Sequence, residues 1–250
     1  MISISPLRFA FLAVLSFPTW IWAGPPYVTD DPEAVQFRHW EFYLASQHFH
    51  TAAGWSGTAP QIEVNYGAFR NIQLHVIMPL AYDAPSGRNA RYGAGDGEVG
   101  LKYEFVSESS TRPMIGIFPM MEVPTGDRRR NLGNGKLQIF LPLWIQKSFG
   151  SWSTYGGGGC LIQPGSGNRN SWYWGWQLQR RIGGNLAIGT EFYLRTAAHP
   201  GETSDTNCNF GIVYDISGRH HLLVSAGRSI SGKTRFQCYF AYQFTFGPGE

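Results

Sequence analysis

Apolar and polar residues alternate along most of this chain. The stretch "SWYWGWQLQR" at 171–180 shows it most strongly: Trp172, Trp174, Trp176 and Leu178 recur at every second position, with Tyr173, Gly175, Gln177 and Gln179 between them. Positions two apart share a face on a strand and diverge on a helix, so this run predicts a strand with one very aromatic side. "RHWEFYLASQ" sets Trp40, Phe42 and Leu44 against Glu41 and Tyr43, and "QIEVNY" sets Ile62, Val64 and Tyr66 against Glu63 and Asn65. "NIQLHVIMPL" opposes Leu74, Val76 and Met78 to Gln73 and His75, while "GEVGLKYEF" opposes Val99, Leu101, Tyr103 and Phe105 to Glu98, Lys102 and Glu104. Further on, "MIGIFPMMEV" carries Glu122 opposite its apolar side, "KLQIFLPLWIQ" carries Lys136, Gln138 and Gln146, and "NLAIGTEFYLRT" carries Glu191, Tyr193 and Arg195.

The pattern predicts an all-β chain of about 12 strands of roughly ten residues, the length a tilted transmembrane strand needs; soluble strands run to about five or six. Connections add a second signal. The odd-numbered ones are expected at 49–59, 81–96, 124–134, 163–170, 197–206 and 229–233, and the tighter even-numbered ones at 67–71, 106–112, 148–151, 182–184 and 217–219. Long outer loops and short periplasmic turns alternate in this way in antiparallel transmembrane β-barrels. An indole prefers a place where its body is apolar and its N–H is wet. Trp172, Trp174 and Trp176 are therefore expected at the lipid interface, and Gln177 in the lumen, where an arginine should be tolerated. The competing reading is a soluble sandwich, whose core face would hold the same residues.

Composition narrows the compartment. Charged residues make up 15% of the 250, and the formal net charge is +3, too small a field to point to nucleic acid. The first residues, "MISISPLRFAFLAVLSFPTWIWA", read as a secretory signal peptide, 1–23, with Arg8 before a short apolar run. A segment at 24–37 is expected in the periplasm, followed by the barrel at 38–246 and a tail at 247–250. Cys160, Cys208 and Cys238 form neither a disulfide framework nor a zinc pattern.

Several blocks carry a resemblance. "PPYVTDDPEAV", "RHWEFYLASQ", "GDGEVGLKYEF", "EVPTGD", "LGNGKLQIFLPLWIQKSFG", "TYGGGG", "GNRN" and "LLVSAGR" resemble a bacterial family of outer-membrane transporters associated with the meta-pathway of phenol degradation. The likeness runs from about Pro25 to Phe246. It implies an outer-membrane barrel that moves small hydrophobic or aromatic compounds, and it brings no catalytic or ligand-binding residue set with it.

Other constellations point to ordinary structure. His48 and His50 lack a third ligand, and adjacent His220 and His221 point oppositely on a strand. "TDDP" reads as an Asx turn rather than a calcium loop, and "LGNGK" as a hairpin signal. No Gly-x-Ser-x-Gly elbow is present. No metal, cofactor or enzymatic activity is expected. Arg128, Arg129 and Arg130 fall in an expected outer loop; contact with lipopolysaccharide phosphates and plain solvation are equally open. The lumen is expected to carry Glu41, Tyr43, Glu63, Glu98, Lys102, Glu104, Glu122, Lys136, Gln177, Glu191, Tyr193 and Arg195, with carboxylates in excess. The function expected is a passive outer-membrane channel for small, aromatic or hydrophobic solutes. Its partners would be the solute, outer-membrane lipid and the barrel assembly machinery. The alternatives are a closed structural barrel and a lipid-modifying enzyme.

Overall fold

The computed structural model describes residues 25–165, 169–199, 201 and 203–249; the expected signal peptide lies outside the described residues. The chain forms a closed antiparallel barrel of 12 strands. They are β1 (Trp40–Thr51), β2 (Gly54–Phe69), β3 (Ile72–Pro85), β4 (Arg91–Ala94 continuing as Gly97–Val106), β5 (Met114–Ile117 and Met120–Val123) and β6 (Gln138–Phe149). Then follow β7 (Trp152–Ile162), β8 (Ser171–Ile182), β9 (Leu186–Arg195), β10 (Asp205–Asp215), β11 (His220–Ser231) and β12 (Phe236–Phe246). Each strand pairs with its sequence neighbours, and β1 closes the ring on β12 with Phe42 opposite Phe244.

The alternation read from the sequence becomes an inside and an outside. Outward side chains are apolar yet exposed: Leu101, Leu143, Trp174, Met78, Leu44 and Phe210 range from 40% to 72%. Inward ones are polar yet buried, among them Glu63, Asn65, Gln73, His75, Lys102, Gln146, Asn209 and Gln243. A soluble domain does the reverse. This inversion is the arrangement that lipid outside and a polar lumen inside require. Trp172, Trp174 and Trp176 all point outward, and the rings of Trp172 and Trp174 stack at 6.3 Å.

The connections depart from expectation at one end. Residues 49–59 are not a loop: β1 runs to Thr51, β2 starts at Gly54, and only 52–53 turn the chain. These strand ends carry small and polar residues instead of an apolar alternation, and a register shift between Thr58 and Gln61 breaks the period further. Long connections remain at 124–137, 163–170 and 196–204.

The tryptophan strand also has an unexpected complement. On neighbouring β7, Gly158 sits opposite Trp174 and Gly156 opposite Trp176. A Cβ at Gly158 would fall 2.8 Å from the Trp174 ring, and one at Gly157 would fall 3.0 Å from the Trp144 ring. Trp174 therefore lies over β7 from outside, and Trp144 of β6, itself 1% exposed, covers it from inside. The run Gly156–Gly159 leaves room for indoles on both faces of one strand.

Candidate functional site

Inward side chains dictate what the barrel can hold, and they hold the chain's own N-terminal segment. The residues from Pro25 to Gln36, expected in the periplasm, cross the interior instead. Ser225 donates to the Pro26 carbonyl at 2.6 Å, and the Val28 and Thr29 amides donate to the Glu191 carboxylate at 3.0 and 2.8 Å. Asp30 and Asp31 meet Lys102 at 3.0 and 3.6 Å. Gln146 donates to Glu33 at 3.4 Å, and the Val35 amide donates to Gln73 at 3.0 Å. The seat is cut by glycines: a Cβ at Gly175 would meet Thr29 at 2.2 Å, at Gly189 Tyr27 at 2.5 Å, and at Gly67 the Gln36 carbonyl at 1.9 Å. The segment enters because the lumen supplies partners for backbone groups that otherwise need water.

Burial changes its acids. Asp31, with no exposed surface, has its carboxyl pushed well above the usual range by desolvation, against the pull of Lys102. Desolvation pushes Glu33 up to about 7.

A second obstruction lies at the mouth. The connection 124–137 folds down onto β4: the Asp96 carboxylate accepts from the Gly126 and Asn134 amides at 2.8 and 2.5 Å, Thr125 donates to the Gly95 carbonyl at 2.8 Å, and Leu132 is buried against Gly93. Its short 3-10 turn, Arg128–Arg130, is capped by Asp127 and keeps all three arginines exposed. The Arg130 guanidinium donates to the Tyr92 carbonyl at 3.1 Å.

Between these obstructions a cavity of about 830 Å³ remains. Its lining reaches from Phe49, Gln163 and Arg195 at the end with the long connections to Trp40, Gly218 and Thr245 at the end with the short turns. One side carries a polar chain. Asn65 donates through Nδ2 to Glu41 and Glu63 at 3.3 and 3.1 Å, and its Oδ1 lies 2.6 Å from His75 Nδ1. His75 Nε2 lies 3.1 Å from Glu98. Tyr43 donates to Glu41 at 2.9 Å and accepts from Gln243 at 2.7 Å. Next to it lies an apolar patch, in which Tyr43 and Ala45 pack with Ala187, Val213, Leu223, Tyr239 and Ala241, and Tyr43 and Tyr239 also line the cavity.

The residues expected in the lumen fall as follows. Glu41, Tyr43, Glu63, Glu98, Lys102 and Glu122 line the cavity, and Arg195 reaches it from the exposed end of β9. Glu104 is buried and accepts from Ser107 at 2.5 Å. Glu191 is spent on the N-terminal segment, and Tyr193 donates to Gln237 at 2.7 Å. Gln177 has no exposed surface, because the segment lies over it. Lys136 does not line the lumen: it sits before β6, exposed, where the chain has already left the wall. Asn65, His75, Phe118, Trp144, Tyr173 and Tyr239 belong to the interior and were absent from the expectation. Their inward parity was the signal available.

This is the fold of outer-membrane channels, with the apolar outer face that a lipid surround requires. No family model and no curated protein matches the chain. Among solved structures, an outer-membrane channel from Pseudomonas putida F1 superimposes with a TM-score of 0.70 at 18% identity, over 86% of this chain and 98% of that one. The KdgM porin gives 0.56 at 11% identity, over 82% and 99%. A second structure of that porin, in complex with disordered oligogalacturonate, gives 0.56 at 11% identity, over 83% and 99%.

Proposed function

We propose that the protein is a channel for small solutes, obstructed from within by its own N-terminal segment. One observation carries the reading: beside that segment a cavity of about 830 Å³ remains, lined by residues from both ends of the barrel. The segment is held by side-chain contacts rather than by a strand ladder, so it can be released without breaking the wall. Oligogalacturonate, found with the KdgM porin, is a polyanion. A carboxylate-rich lumen repels such a solute. Small neutral or cationic compounds, aromatic ones included, fit this interior better. A sealed structural barrel is the second reading, favoured by the depth of the obstruction. Single-channel recording separates them: the channel reading expects small, discrete openings from the purified protein in planar bilayers, and steady absence of conductance overturns it.

The outer surface carries two further roles. Trp172, Trp174 and Trp176 contact lipid, and Trp174→Arg is expected to destabilise the inserted barrel by about 2–4 kcal/mol near the bilayer midplane and less toward the interface. Unchanged midpoints in urea titrations with vesicles would remove that role. The exposed turn of Arg128, Arg129 and Arg130 meets lipopolysaccharide phosphates. The barrel assembly machinery is the expected partner in insertion.

A further inference from the structure

Two buried carboxylates in the lumen have no lysine or arginine paired to them among the described residues. Glu41 and Glu63 are 7% and 6% exposed and line the cavity. Their direct partners are neutral: the Asn65 amide for both, and the Tyr43 hydroxyl for Glu41. Among the described residues no lysine or arginine lies within ion-pair distance of either. Lys102, the nearest candidate by position, is held by Asp30 and Asp31. His75 stands 3.7 Å from Glu63, and its other nitrogen is engaged by Glu98. His75 thus serves Glu63 and Glu98 together, while Glu41 feels Lys102 and His221 at longer range and hydrogen-bonds to the neutral Asn65 and Tyr43. An independent observation marks the same place as open. Tyr239, 9% exposed and also lining the cavity, has a buried hydroxyl with no hydrogen-bond partner. A buried hydroxyl without a partner costs stability, as do buried carboxylates without a countercharge.

We propose that this part of the lumen is a binding site for small organic cations, a protonated amine carrying an aromatic or apolar body. The ammonium is received by Glu41 and Glu63 as charge-assisted hydrogen bonds, with the Tyr239 hydroxyl as a further acceptor. The body lies against Tyr43, Tyr239 and the ring of Phe118. Phe118 already takes a cation on its face, with Lys102 Nζ 4.9 Å from its centroid. A neutral alcohol of the same shape forfeits the charge, and a carboxylate analogue is repelled. This names a solute class for the channel and rests on that reading.

The test uses the full mature protein and three matched probes: 2-phenylethylammonium, 2-phenylethanol and phenylacetate. Titration calorimetry in detergent measures binding, and bilayer recording with each probe added measures occupancy of the pore. The amine is expected to bind and to interrupt the current, with affinity at least about tenfold above that of the alcohol. Glu63→Gln and Glu41→Gln are each expected to lower that affinity by about tenfold, while Glu108→Gln, paired to Lys147 at the periplasmic rim, leaves it unchanged. Heat-modifiable gel migration checks that each variant is folded. Equal binding of amine and alcohol, or an amine affinity indifferent to both Gln variants, overturns the site. Amine binding without any conductance keeps the site and removes the channel; conductance without amine binding does the opposite.

Discussion

The two obstructions in this barrel are built from different chemistry. The mouth connection 124–137 is fastened by Asp96 accepting backbone amides, by Thr125 and by the buried Leu132. It is a folded turn with a small apolar anchor, and its charged residues face solvent. The N-terminal segment is fastened the other way, by ionisable groups turned into the lumen: half-buried Asp30 and fully buried Asp31 on Lys102, Glu33 beside Gln146, and Glu191 beneath its amides. A buried ion pair adds little net stability when intact but is strongly destabilising when one partner is removed. The mouth connection is therefore a fixed constriction. The segment is a conditional one, sensitive to a single proton or a single side chain.

Removing the cation breaks the comparison hardest. Lys102→Met leaves two carboxylates of the segment without countercharge, and docking is expected to weaken by about 3–5 kcal/mol. The measured result should be a larger and steadier conductance, with faster hydrogen exchange at the amides of 26–36 and unchanged exchange in the strands. A variant as closed as the parent would show that the ion pair is not the latch.

Asp96→Ala tests the opposite member. Two backbone donors lose their acceptor, and the mouth connection is expected to loosen by about 1–3 kcal/mol. The readout is local: exchange rises at 124–137, while the segment stays docked and current stays small. Full opening on this change alone would make the mouth, not the segment, the gate.

The smallest effect is that of pH. Glu33 titrates near 4.5 when free and at about 7 when docked, raised by burial with Glu104 and Glu41 nearby and opposed by Lys102 and Gln146. A raised carboxyl pKa favours the docked state while the group is protonated. Docking is thus strongest at low pH and declines as pH rises from about 4.5 to about 7, by at most about 1.4 kcal/mol per pH unit from this group. Asp31, shifted in the same direction, adds to the same sign. Openings should become more frequent across that window, and Glu33→Gln should flatten the response. An opposite slope would mean that another group controls docking.

How much of this could be read beforehand follows from where each contact lies along the chain. The wall was legible because two environments write a period of two: Trp174 out and Gln177 in are opposite parities of one strand. The upper ends of β1 and β2 were not, since 49–59 is rich in small and polar residues and a register shift interrupts its period. Lys136 kept the right parity but sits two residues before its strand begins. The segment was illegible altogether. "PPYVTDDPEAV" has no period, and what fixes it is Glu191, Tyr173 and Lys102, each far away in sequence. The same blindness misjudged Gln177, expected to tolerate arginine as a lumen residue. With no exposed surface, it should accept none.

The seat of the N-terminal segment also sets an order of assembly. Its partners are late residues: the contact between Val28 and Glu191 spans 163 positions, and the one between Pro26 and Ser225 spans 199. Contacts of such separation form slowly, after the intervening chain has found its place. The stretch that leaves the ribosome ahead of every strand must therefore wait, unsatisfied, until β11 has joined the wall. Until then the forming barrel has no stopper, and docking of these few residues comes after the ring has closed.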